Sequence, residues 1–130
     1  MRFKKSLLWI CASLGLGACV SVVAVDGERY RITSDAFRGY LEAVFRAQNK
    51  TADELAFALE DLAAERTAAI AELTTAETQL LTACAEVNRL AVTRRDGAAL
   101  KRREALSAAR TAPDCERAER AARAALAARD

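Results

Sequence analysis

Leu55, Leu62, Ala69, Ala76, Ala83 and Leu90 recur at seven-residue intervals, with Leu59, Arg66, Leu73, Leu80 and Val87 as a companion row. Spacings that alternate between four and three place both rows on one face of an α-helix, as in a coiled-coil seam. Such a stripe has to be laid against another helix. Past residue 18 the chain holds one proline (Pro113) and three glycines (Gly27, Gly39 and Gly97), so little interrupts helix formation. The fold class expected is all-α: a long heptad helix forming an antiparallel helical hairpin. Arg66 is the one charged intruder in the rows. It specifies register or extends outward along its own stem.

Upstream of the rows, Ser34 is placed to cap a helix, with Asp35 in the first turn where the helix dipole favours an acid. Phe37, Tyr40, Leu41, Val44 and Phe45 follow at i, i+3, i+4, i+7 and i+8, an apolar stripe that needs cover. The expectation is a short helix folded back over Leu55, Phe57, Leu59 and Leu62, reversing at Gln48-Asn49-Lys50. Thr51-Ala52-Asp53-Glu54 then reads as the capping box of the long helix. The alternative is helix unbroken from 35 to 94, since Leu41, Phe45, Gln48 and Ala52 keep the heptad phase. Asp96-Gly97 is a turn signal. A further helix covers 98–110, with an interruption expected at Ala112-Pro113-Asp114. Cys115, Ala118, Ala122, Ala125 and Leu126 continue its apolar face.

The chain opens with Arg2, Lys4 and Lys5, then an apolar run from Leu7 to Leu16, then Leu16-Gly17-Ala18-Cys19. This resembles the signal of bacterial lipoproteins, whose lipobox those four residues fit. The resemblance implies a signal peptide over 1–18, cleaved before Cys19, and lipidation of Cys19 with palmitate-type acyl chains. Val20, where many inner-membrane lipoproteins carry Asp, implies the outer membrane, facing the periplasm. Residues 19–33 then read as a lipidated tether and 34–130 as the helical domain. Within the tether, residues 30–33 are expected to be extended, without an obvious partner strand. The runner-up is an uncleaved inner-membrane anchor, because residues 6–25 are free of charge over about the length that crosses a bilayer. That arrangement is similar in outline to phage spanins. The overall plan is also similar to murein lipoproteins. The chain closes on Arg129-Asp130 where that family has a lysine, so no covalent peptidoglycan link is expected.

With Cys11 and Cys19 assigned to the signal and the lipid, Cys84 and Cys115 remain in an oxidising compartment. An even pair without metal-ligand spacing reads as one disulfide. It would stabilise the fold by roughly 3–4 kcal/mol on the chain-entropy estimate. If the chain reverses near Gly97, that bond sets Leu73 opposite Leu126, Leu80 beside Ala118 and Glu119, and Leu90 opposite Ala109.

Without residues 1–18 the side chains carry 17 bases and 18 acids, so the net +2 of the full sequence is largely the signal's. No nucleic-acid partner is implied. Residues 19–88 are acidic and 89–130 basic, a split that ion pairs across the hairpin would explain. The sequence has no histidine, which excludes Ser-His and Cys-His catalysis and His-metal sites. Asp53-Glu54 and Glu60-Asp61 read as solvated helix faces. The function expected is non-enzymatic, without cofactor or metal: a spacer, scaffold or accessory interaction module. Its contacts would be the membrane through lipid and an envelope protein or a second copy. The candidate interaction residues are Phe37, Tyr40, Leu41, Val44 and Phe45, and the basic cluster Arg94, Arg95, Lys101, Arg102 and Arg103. The bland reading of that cluster is a solvated hairpin tip. Outside the cytoplasm its contacts would be anionic headgroups, lipopolysaccharide or an acidic protein.

Overall fold

The computed structural model describes residues 20–62, 65–99 and 101–129. The lipobox and the signal segment therefore lie outside the described residues. Four helices form three rods: α1 (Asp35–Asp61), a second rod of α2 (Thr67–Ala83) and α3 (Ala85–Arg95), and α4 (Arg102–Ala128). α1 and α4 run parallel, with the second rod antiparallel to both. An antiparallel β-hairpin, β1 (Ser21–Val23) and β2 (Arg29–Arg31), precedes them. The all-α expectation holds, and this hairpin is the one sheet among the described residues.

The core is built by the stripe that the sequence advertises. Leu55, Leu73, Leu80, Val87 and Leu90 are buried, joined by Val44 and Ala58 from α1. Each such side chain removed from water stabilises the fold by roughly 1.5–3 kcal/mol. α4 answers with Ala108, Ala109, Ala112, Cys115 and Ala122, all buried. Small side chains let this helix approach the other rods closely, so it packs against every other helix.

Cys84 and Cys115 are disulfide-bonded with Cα atoms 4.6 Å apart, and both side chains are fully buried. Around this bond the expected register is met. Ala71, Thr75, Ala76 and Gln79 of α2 face Ala121, Ala122 and Ala125 of α4. Cys84 also divides the second rod. Its N–H donates to the carbonyls of Leu80 and Thr82, its φ, ψ of −92° and 1° leave the helical region, and α3 starts beyond it.

Three local expectations fail. Helix α1 passes through residues 48–50 and the 51–54 segment without a break. The chain reverses instead just after Asp61, with Leu62 extended (ψ 127°) and α2 starting at Thr67. The single long heptad helix is therefore three helices in two rods, α1 and then α2 with α3, whose core rows keep one phase across the turn. Arg66, the intruder, is the exposed residue that begins α2. Pro113 does not interrupt α4. A proline inside a helix costs about 3 kcal/mol in isolation, but Ala109, Ala112, Pro113 and Cys115 are all buried here, and packing overrides local preference.

The third failure has a different cause. Thr51 is an interior residue of α1, fully buried, and its hydroxyl donates to Glu119 Oε1 at 2.8 Å. Glu119, buried to 5% exposure, also accepts from Arg123 of its own helix. Nearby, Gln48 (1% exposed) donates from Nε2 to Asn88 Oδ1 at 2.6 Å. These pairs join α1 to α4 and α1 to α3 through the apolar core. A buried carboxylate holds there because its charge is paired and hydrogen-bonded.

Gly97, with φ +68°, ends α3 in the left-handed conformation that its lack of a Cβ permits. Breaking these features gives defined losses in denaturant unfolding. Thr51→Val should lower the unfolding free energy by about 1–2 kcal/mol, because Glu119 loses a buried partner. Arg66→Ala, at an exposed turn, should stay within about 0.5 kcal/mol. Replacing Cys84 and Cys115 together by Ala should cost roughly 3–4 kcal/mol.

Candidate functional site

The candidate interaction residues separate into two groups. Phe37 and Val44 are buried, and Tyr40, Leu41 and Phe45 are half-buried against the cores. The aromatic stripe is therefore covered by the chain's own elements. Arg94, Arg95, Lys101, Arg102 and Arg103 are all exposed, bracketing the turn between α3 and α4.

The β-hairpin covers the first part of the stripe, Phe37, Tyr40 and Leu41, while Val44 and Phe45 pack in the helical core. Residues 20–33 form more than a tether: Ser21–Val23 supplies the partner strand that residues 30–33 lack in the sequence reading. Asp26-Gly27 makes the turn, with Gly27 at φ +89° and Asp26 Oδ1 accepting from the Glu28 N–H. Val22 is buried with Phe37 and Ala109. Tyr30 stacks on Tyr40, ring centroids 4.8 Å apart. Glu116 on α4 closes the clamp. Its Oε2 accepts from the Val25 N–H (3.1 Å) and the Tyr40 hydroxyl (3.0 Å), and its Oε1 from Arg120 (2.6 Å). One carboxylate thus ties the hairpin's turn, α1 and α4 together.

The hairpin's orientation locates where the chain joins the bundle. Val25 lies in the turn that follows β1, and from Ala109 to Glu116 a helix advances about 10 Å. Val22 packs with Ala109 and Val25 bonds Glu116, so β1 runs along α4 in the same direction. Val20, whose carbonyl accepts from the Ile32 N–H, precedes Val22 on that course. The chain therefore enters the hairpin from the side of Ala109 that faces the start of α4.

The ion pairs along the helices are local. Arg38–Asp35, Arg46–Glu42, Lys50–Glu54, Arg89–Glu86, Arg117–Asp114, Arg120–Glu116 and Arg123–Glu119 each join residues of one helix. Among the described residues none of these pairs joins the acidic arm to the basic one, where the sequence reading expects them. Residues 94–104 carry five bases and two acids, and residues 53–66 five acids and one base. The first group surrounds the turn from α3 to α4 and the second the turn from α1 to α2 at the opposite end, to which α4 also brings Arg123 and Arg129.

Among the described residues, open grooves run between α2 and α4 and between α1 and α4. The larger, about 680 Å³, lies between α1 and α4 and is floored by Ala43, Ala47, Ala124 and Ala127. Its acids, Glu116 and Glu119, are already engaged by Tyr40, Thr51 and arginines. Among the described residues no three metal-ligating side chains come together. Comparison with protein-family models, curated proteins and solved structures finds no match to this chain.

Sequence reasoning missed Glu116, Glu119 and Gln48 as fold-determining residues. A signal existed for Glu119 and Gln48, each a polar residue at a seam position: Glu119 between Cys115 and Ala122, and Gln48 in phase with Leu41 and Leu55. The clamp at Glu116 had none, because its partners are distant in sequence.

Both tyrosines resist ionisation. The Tyr30 hydroxyl is pushed up to about 12, first by its hydrogen bond to Glu28 and then by desolvation and nearby acids. Tyr40 shifts the same way, chiefly through burial and then through its bond to Glu116. A raised folded value means that the stabilisation is complete below pH 10.0, the ordinary value, and is lost as pH rises beyond it. Tyrosinate absorbance should therefore stay low at pH 10 in the folded protein. Tyr40→Phe should flatten the fall in stability measured by denaturant unfolding above that pH.

Proposed function

We propose that this is a lipid-anchored protein of the bacterial cell envelope whose helical bundle acts as a non-enzymatic scaffold, spacer or accessory interaction module. The observation that carries the reading is the junction between signal and body. Cys19 closes a lipobox-type run, and Val22, three residues on, lies in the core. Two or three acyl chains at that cysteine hold a protein on a bilayer stably where one does not. Val20 after the cysteine favours the outer membrane, with the bundle in the periplasm.

The inner-membrane anchor is supported less well. With residues 21–23 in a docked strand, 14 uncharged residues remain from 6 to 19. That is short of the roughly 20 that span a bilayer and close to the apolar length of a signal peptide. No helix among the described residues is long and apolar enough to cross a membrane.

A spacer reading suits the dimensions, since 27-residue helices measure about 40 Å. An interaction reading turns to Phe57, 68% exposed near the end remote from Val20, now that the aromatic stripe is covered by the chain itself. Intact-mass analysis of the membrane-extracted protein tests the proposal. The expected result is cleavage before Cys19 with diacylglycerol and an N-acyl chain, lost in Cys19→Ala. A full-length, unacylated protein in the membrane fraction would favour the anchor, and one free in the cytosol would overturn both.

A further inference from the structure

We propose that the basic turn between α3 and α4 rests on the anionic headgroups of the bilayer that holds Cys19, so that the bundle stands end-on with its α1–α2 turn outward. This rests on the lipid-anchor reading and adds an orientation and a second contact to it. Three observations carry it. The chain enters the hairpin from the end of the bundle that carries the basic turn, so a lipid on Cys19 brings that turn towards the bilayer surface. Arg94, Arg95, Lys101, Arg102 and Arg103 are exposed there, and Arg95 alone among them pairs with an acid, Asp96, at 3.1 Å among the described residues. At the opposite end the α1–α2 turn, residues 53–66, is acidic and offers the same surface no such patch.

The local physics leaves this patch poorly satisfied by the protein itself. Arg102 and Arg103 occupy the first turn of α4, where the helix dipole disfavours cations and Glu104 is the one acid. Lys101 stands at the N-cap and its side chain makes no capping bond. A phosphate-bearing surface supplies acceptors for the guanidinium groups and for the uncapped first turn. At physiological salt such attraction acts within about 8 Å. The lipid keeps the patch within that range, and the patch in turn fixes the tilt that the lipid leaves free. A lipid anchor plus a basic patch is also the two-signal combination that makes membrane attachment stable.

The test uses the native lipidated protein, reconstituted into phosphatidylcholine vesicles with or without phosphatidylglycerol. Past residue 18 the lysines are Lys50 and Lys101. Lys50 is exposed along α1, with a pairing to Glu54 that screens it modestly, and serves as the internal reference. A membrane-impermeant amine reagent, read by peptide mass spectrometry, gives the ratio of modification at the two sites. The acyl mass on Cys19 is read on the same sample. Its absence overturns the lipid-anchor reading, and this proposal with it. With the lipid present, phosphatidylglycerol should lower the Lys101-to-Lys50 ratio several-fold. High salt should restore it, as should the quadruple change of Arg94, Arg95, Arg102 and Arg103 to Glu. A ratio indifferent to phosphatidylglycerol overturns the proposal. Protection of Lys101 in native envelopes but not in anionic vesicles also overturns it and assigns the turn to an acidic protein.

Discussion

The covalent link between Cys84 and Cys115 is the constraint from which the rest of the bundle can be built. It fixes α4 against the second rod at one level, and every other match along those helices follows from it. The bond sits where α2 gives way to α3, so the rod bends at the one residue whose place is held by covalent means. α1 then has a prepared surface to lie on, made of leucines from one rod and alanines from the other. Its own apolar stripe is too long to be covered by the helices alone, and the β-hairpin closes the part that remains.

Within this apolar interior, polar residues decide alignment. Hydrophobic side chains accept many similar packings, whereas a buried carboxylate accepts few, because a shift of one turn leaves it without partners. Glu119 with Thr51, and Gln48 with Asn88, hold α1 to the two other rods in this way. Glu116 does the same for the hairpin, at a half-buried position where three donors converge. The fold thus combines a nonspecific core with a few specific pairs that determine which helix faces which.

Much of this architecture was legible in the residues, and what was not has physical reasons. The helix start at Ser34, the turn at Gly97, the cysteine pairing and its register all came from local chemistry or periodicity. The reversal after Asp61 did not, since no glycine or proline marks it and the heptad rows run through it in phase. Arg66 was a usable sign there, because a charge in a seam row fits a turn better than a packed helix. Continuity through Pro113 was hidden because the packing that offsets the missing hydrogen bond comes from distant residues. The basic turn was visible as a cluster, but its place at the end from which the chain enters the hairpin emerged only from the hairpin's course along α4. Ion pairing was misjudged for a related reason: neighbours three or four residues apart on one helix satisfy each other before a facing helix can.

The complete burial of both sulfur atoms has a bearing on how the molecule is made. In the finished bundle neither sulfur is open to a thiol catalyst or a small reductant. The oxidation has to occur while the rods are still apart, and once they close the bond is out of reach. The redox history of the chain is therefore written during maturation, and later changes in the surrounding thiol balance do not edit it unless the body itself opens.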